Sequence, residues 1–207
     1  MIQPFCAKFI TPTKFSRRLA VLLSIQNAPR VSQHKIARSA DLSSSMVNNY
    51  IKRLKREGLI TVRGDTNRTQ SYHLTSLGQN ELKDSLLLYS AEIVQLYSSV
   101  KRQIAKMLNT FYAEGIRTLV LFGIAETAEV VYAAVRETGL VVIGAVDSDE
   151  SKQGQPFNGL IIRAPEQLKQ IKPDAVLITS FAKQDEIRWD LQRLVNDEID
   201  VKTLTDL

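Results

Sequence analysis

Between Ser76 and Glu114 the chain holds no proline, and after Gly78 no glycine until Gly115. Along this stretch Leu82, Leu86, Tyr89, Ile93, Leu96, Val100, Ile104, Met107 and Phe111 recur at steps of three and four residues. Such spacing lays one apolar stripe along a single α-helix, close to a heptad seam with one shift. At 1.5 Å per residue, a helix of roughly 34 residues is about 50 Å long. A preceding segment of ~70 residues is too small to cover it. The chain therefore divides around the helix: residues 1–75 before it, 76–115 as linker and dimerisation helix, 116–207 after it. A second copy of the chain is the preferred partner for the uncovered stripe. The alternative is a helix that breaks and packs back on its own domains.

The charge divides in the same way. Residues 1–74 hold 13 Lys+Arg against 3 Asp+Glu, residues 75–115 hold 4 of each, and residues 116–207 hold 10 against 15. The segments thus carry +10, 0 and −5, which sum to the chain's +5. A strongly basic head is the electrostatic footprint of a polyanion binder, whereas the acidic tail would be repelled by DNA. A hydrophobic content of 44% with 24% charged residues fits a folded, soluble chain. The single cysteine, Cys6, excludes an intramolecular disulfide and fits a reducing cytoplasm. The N-terminus lacks the pattern of a secretory signal, and no apolar run is long enough to suggest a membrane span. His34 and His73 have no Cys or acidic cluster at metal-ligand spacing, so no metal site is expected.

Three helical patterns and a hairpin make up the head. In KFSRRLAVLLSIQNAP, Phe15, Leu19, Leu22 and Leu23 share helical spacing, and the helix stops before Pro29. SQHKIARSA follows with Ser32 as N-cap. The third helix, 43–57, is capped by Ser43 and ended by Gly58, with Val47, Ile51 and Leu54 as its apolar stripe. Its other side carries Ser44, Ser45, Asn48, Asn49, Lys52, Arg53 and Arg56. Serine and asparagine reach base edges or phosphates, and Lys and Arg neutralise backbone charge. LITVR (59–63) and SYHL (71–74) alternate as strands, which places Arg63 on the hairpin and Asn67 and Arg68 at its tip.

Residues 32–60 resemble the helix-turn-helix of winged-helix transcriptional regulators. The following YHLTSLGQNEL is similar to the exit from the wing in the MarR-like group, where a Leu-Thr-x-x-Gly turn starts the next helix. The resemblance covers residues 15 to about 82. It implies that helix 43–57 enters the major groove of double-stranded DNA while the 64–69 wing touches the adjacent backbone or minor groove.

The tail alternates differently. RTLVLFG, LVVIGAVDSD, NGLIIRA and DAVLITS read as buried strands separated by helices, with VKTL as an edge strand. Continuous apolar strands between helices indicate a parallel sheet covered on both faces, hence a small Rossmann-like α/β domain. The expected architecture is an α+β winged-helix domain, a long linker helix and this α/β unit.

The first strand of the tail ends in Gly123-Ile-Ala125-Glu-Thr-Ala128, against a dinucleotide fingerprint of G-x-G-x-x-G/A. Ala125 puts a methyl group where pyrophosphate would approach, and Glu126 competes with phosphate at the helix N-terminus. Asp147 stands at the end of the second strand, where a ribose-binding acid belongs. The switch-point rule places any pocket at Gly123, Ile124, Ala125, Asp147, Ser148, Thr179, Ser180 and Phe181. The segment is similar to small nucleotide-binding domains of sugar-modifying enzymes and CoA-binding proteins. The order of domains is similar to that of the redox-sensing repressor Rex family, whose pocket has the full glycine pattern. The resemblance implies a nucleotide, a nucleotide sugar or NAD(H) as effector. The incomplete glycine pattern leaves a second reading, in which the tail is an assembly domain with no small ligand.

A dimeric, sequence-specific DNA-binding regulator is the leading expectation, and no catalysis is expected. An NAD- or nucleotide-sugar-dependent enzyme is the alternative, but the tail contains no histidine, no Tyr-x-x-x-Lys pair and no Ser/His/Asp set. An architectural DNA-binding adaptor is the third.

Overall fold

The Thr13 side chain accepts a hydrogen bond from the Ser16 amide at 3.1 Å, and this cap opens helix α1 (Lys14–Asn27). In the computed structural model, residues 11–64, 69–180, 184–195 and 199–205 are described. Cys6 lies outside them. Leu19, Val21, Leu22 and Ile25 are the buried side of α1. The stripe expected to begin at Phe15 begins four residues later, because Phe15 is 84% exposed on the first turn.

Helix α2 (Gln33–Ala40) starts at the Ser32 cap and ends at Asp41, which adopts the left-handed conformation at φ 51°. Helix α3 (Ser44–Arg56) starts at the Ser43 cap. It ends in a Schellman motif: the Leu59 amide donates to Leu54 O at 2.9 Å and the Gly58 amide to Lys55 O at 3.1 Å. Gly58 has φ +74°, which a side chain would strain. Strands β1 (Ile60–Arg63) and β2 (Ser71–Leu74) pair antiparallel, with Ile60 opposite Leu74 and Arg63 opposite Ser71. Val47, Ile51, Leu54, Leu59, Ile60 and Tyr72 close a single core with α1.

The Leu-Thr-x-x-Gly turn now has a physical reason. The Thr75 hydroxyl donates to Gly58 O at 2.7 Å and accepts from the Gly78 amide at 3.1 Å. One side chain therefore caps helix α4 (Ser76–Ala113) and ties it to the end of α3. Gly78 lets α4 lie directly on the Leu59 carbonyl, where a Cβ would collide.

Two compact units divide between Val94 and Gln95, inside α4. Leu82 belongs to the core of the first unit, and Met107, Leu108 and Phe111 belong to that of the second. Between them Ile93, Leu96 and Val100 are 47%, 48% and 41% exposed. The stripe read from the sequence is thus buried at its ends and open in its middle.

The second unit is a six-stranded sheet of order β5-β6-β4-β3-β7-β8. Its strands are β3 (Thr118–Phe122), β4 (Val141–Val146), β5 (Pro156–Phe157), β6 (Leu160–Arg163), β7 (Ala175–Ile178) and β8 (Asp200–Thr203). All neighbours run parallel except β5 and β6. Alternation along β3 sends Leu119 and Leu121 into one core with α4 and α5 (Glu126–Val135). Val120 and Phe122 enter a second core with α6 (Leu168–Ile171) and α7 (Gln184–Val195). Both faces are covered, as a Rossmann-like parallel sheet requires. The short strand β5, only two residues long, has no alternation that marks it in the sequence. It forms a hairpin with β6 through Asn158 and Gly159, both at positive φ, the pairing that a two-residue type I′ turn favours.

Candidate functional site

Helix α3 separates two kinds of side chain. Val47, Ile51 and Leu54 are buried, while Ser45, Asn49, Lys52 and Arg56 follow at steps of four, three and four on the side away from them, all exposed. Ser44 is exposed on the first turn, and Asn48 is half-buried at the edge of the core. The Ser45 hydroxyl lies 2.9 Å from that of Ser43, whose oxygen caps the helix by accepting from the Met46 amide. Ser45 therefore supports the cap as well as facing outward. Arg63 is exposed at the end of β1. Asn67 and Arg68 lie outside the described residues.

Arg53 occupies the flank of this face and is engaged there. Its Nε donates to Glu57 Oε1 at 2.7 Å. That bond raises the Arg53 pKa, and the same bond is the main cause that lowers the Glu57 pKa. Glu57 Oε2 in turn lies 2.7 Å from Arg18 Nη1 on α1. The sequence offered Arg53 as one more cation of the exposed face. The helical step of four to Glu57 was the signal that it has a partner of its own.

In the tail, the carboxyl ends of β3, β4 and β7 meet at the glycine turn. Gly123 adopts φ +90°, and its amide donates to Val146 O at 2.9 Å. Asp147 is buried and joins the turn: its Oδ2 accepts from the Ile124 amide at 2.7 Å and its Oδ1 from the Asp149 amide at 2.9 Å. Thr179 is fully buried, with its hydroxyl donating to the Gly123 and Phe122 carbonyls. Gly123, Ile124, Asp147 and Thr179 are thus brought into direct contact. Ala125 is the extended N-cap of α5 without a side-chain cap bond, and Ser148 is exposed. Ser180 is half-buried next to the turn, whose Gly123 would meet it through an added Cβ at 3.8 Å. Phe181 lies outside the described residues.

Lys152 is the member that the sequence did not single out. Its Nζ donates to Ile124 O at 2.9 Å and lies 3.0 Å from Asp147 Oδ2. Nothing in the spacing of a loop residue five positions after Asp147 marks it in advance. The consequence for chemistry is direct. Among the described residues Oδ2 of Asp147 accepts two hydrogen bonds and Oδ1 one, so a ribose diol, which would use both oxygens, meets an acid with Oδ2 already filled. Among the described residues no group of His, Cys, Asp and Glu could hold a metal ion. Among the same residues no helix is long and apolar enough to cross a membrane.

Residues 16–61 match the winged helix-turn-helix DNA-binding family. The head is a winged helix-turn-helix. Residues 115–201 match a second family, described as C2185-like, N-terminal. No curated protein matches the chain. Among solved structures, the UDP-D-quinovosamine 4-dehydrogenase of Vibrio fischeri is 18% identical, with a TM-score of 0.39 over 44% of this chain and 80% of that one. A MarR family protein of Mycobacterium tuberculosis in complex with p-aminosalicylic acid is 18% identical, with a TM-score of 0.37 over 46% and 77%. The M. tuberculosis transcriptional regulator MosR is 17% identical, with a TM-score of 0.35 over 48% and 84%. Each of these alignments takes in less than half of the present chain.

Proposed function

We propose that the protein is a sequence-specific, dimeric DNA-binding transcriptional regulator. The observation that carries this reading is the outward face of α3. Ser45, Asn49, Lys52 and Arg56 form an exposed polar and basic stripe on a helix whose opposite side anchors a winged-helix core. Glu57, the acid that follows the last turn of α3, faces Arg53 and Arg18. Lys52 and Arg56 neutralise phosphates, with Arg63 extending the contact to the flanking backbone. Ser44, Ser45, Asn48 and Asn49 stand nearest to base edges. Such heads read paired half-sites, and the exposed Ile93, Leu96 and Val100 of α4 supply the apolar row through which a second copy adds the second head.

The tail in this reading is a sensor or assembly unit, with any nucleotide-type effector seated at the Gly123 turn. Its Asp147 and Lys152 favour a ligand that offers an anionic group to the lysine over one that needs a free acid for its ribose.

Fluorescence anisotropy of the full chain against duplexes selected from a random-sequence pool tests the reading. Lys52→Ala should weaken binding to all sequences and reduce the salt slope by about one. Asn49→Ala should leave the slope unchanged and relax sequence preference. A protected footprint of two half-sites about one helical turn apart marks the dimer. The same uniform loss in both variants would defeat the division of roles, and the failure of any duplex to be selected would defeat the reading itself.

A further inference from the structure

Four charged residues on three helices form one ladder in the head. Arg53 and Glu57 are joined at the end of α3, Glu57 meets Arg18 of α1 at 2.7 Å, and Arg18 Nε donates to Glu81 Oε1 of α4 at 3.1 Å. The inner members are shielded, with the Arg18 side chain 18% exposed and that of Glu57 29%. An isolated surface ion pair contributes little, but a shielded network with a forked guanidinium at its centre fixes geometry. Arg18 uses separate nitrogens, Nη1 and Nε, for its two acids. Its contact with Glu57 Oε2 is an ion pair without an aligned hydrogen bond, while its Nε bond to Glu81 is directed, so Arg18 holds the end of α3 by charge and the second turn of α4 by a bond of fixed direction. Lysine, a single point charge, lacks that directed Nε bond.

We infer that Glu57 is a positioning residue for DNA recognition, held by Arg18 and Glu81, and that Arg53 belongs to this ladder and makes no phosphate contact. The ladder fixes the angle at which α3 is presented, so its effect falls on base contacts. Phosphate contacts tolerate small rotations because a charge is attracted without a fixed bond direction, whereas base-edge hydrogen bonds require alignment. Loss of Glu57 thus costs specific binding and spares non-specific binding. This rests on the reading that the head binds DNA.

The test compares Glu57→Gln, Arg53→Ala, Arg18→Lys and Lys52→Ala in the full chain. The probes are a duplex selected by the wild-type protein from a random pool and a scrambled duplex of equal length. Circular dichroism first confirms that each variant is folded at the assay temperature. Glu57→Gln should lose about ten-fold on the selected duplex, the size of one mismatched base pair, with no change on the scrambled one. Arg18→Lys should give an intermediate loss, and Arg53→Ala should leave the salt slope at the wild-type value while Lys52→Ala lowers it by about one. Tighter binding by Glu57→Gln with a steeper salt slope would show that Glu57 merely competes with DNA for Arg53, and would overturn the inference. So would equal losses on both duplexes, which mark a purely structural role, or no loss on either. If the wild-type protein selects no duplex, the DNA-binding reading fails first and the inference with it.

Discussion

Gly78 is the second residue after Ser76 in α4, where helix propensity alone says that alanine should be better by up to about 1 kcal/mol. The structure reverses that sign. A Cβ at position 78 would overlap Leu59 O and stand 2.9 Å from the Leu59 carbonyl carbon and 3.3 Å from its Cα. These are backbone atoms at the junction of α3 and β1, so no side chain can rotate away. Relief requires α4 or the Leu59 peptide to move, and overpacking of this kind costs about 1–3 kcal/mol. The same movement strains the Thr75 bonds to Gly58 O and to the Gly78 amide, each worth about 1 kcal/mol. Set against the propensity gain, Gly78→Ala should destabilise the head by about 1–3 kcal/mol. The assay can separate the two units, because the chain has a single tryptophan and Trp189 lies on α7 in the second unit. Urea unfolding followed by far-ultraviolet circular dichroism should show an early head transition in the variant, with the Trp189 fluorescence midpoint unmoved. A variant as stable as the wild type, or more so, would refute the close approach of α4 to Leu59.

Two further outcomes concern the tail. Asp147→Ala should lower its stability by about 2–4 kcal/mol, since it leaves the Ile124 amide without its acceptor and Lys152 without its acid. The Trp189 unfolding midpoint reads this directly, and an unchanged midpoint would return Asp147 to the role of a ligand-facing acid. Asp174 accepts from the Thr118 and Arg117 amides and from the Thr118 hydroxyl, and these bonds, led by that of the Thr118 amide, lower its pKa. A lowered carboxyl pKa contributes stability that is present above the unfolded value of about 3.9 and is lost as the pH falls through the folded value. The wild-type tail should therefore lose stability more steeply below about pH 4 than Asp174→Asn does, as read from thermal midpoints across that range.

The fold was legible where residue pattern and local chemistry agree. The buried strands of the tail stand out because Leu119 to Phe122 and Ala175 to Ile178 are apolar on both faces, which only a covered parallel sheet permits. Strand β5 is legible through a turn: Asn158-Gly159 is a hairpin dipeptide, whereas a two-residue strand before it has no periodicity of its own. Phe15 misled because helical spacing identifies a face without saying where the core ends. Among site residues, the exposed stripe of α3 follows from periodicity alone. Arg53 and Asp147 show what periodicity omits. Their roles depend on Glu57 one turn away and on the Ile124 amide 23 positions earlier, and one sequence fixes residue types but not which polar groups find each other.

The position of the glycine turn limits how a tail ligand could act on the head. Helix α4 closes at Gly115, in a Schellman motif in which Ile116 N donates to Phe111 O at 3.1 Å, and Arg117 Nη1 donates to Tyr112 O at 2.6 Å. This junction lies at the amino end of β3, whereas the turn at Gly123 lies at its carboxyl end. Five residues of β3, about 17 Å of strand, separate them, and Leu119, Val120 and Leu121 are wholly buried along it. A packed interior of this kind does not bend by degrees, so a ligand at the turn cannot act by gently tilting α4. It would act by favouring one of two discrete arrangements of the unit, and only as far as its affinity for the two differs. Reciprocity then provides the decisive measurement. A nucleotide-type ligand that changes the affinity for a selected duplex by some factor must have its own affinity changed by the same factor when that duplex is bound. A ligand that binds the tail tightly, with an affinity unaltered by saturating duplex, would be a stabiliser of the assembly and not a signal.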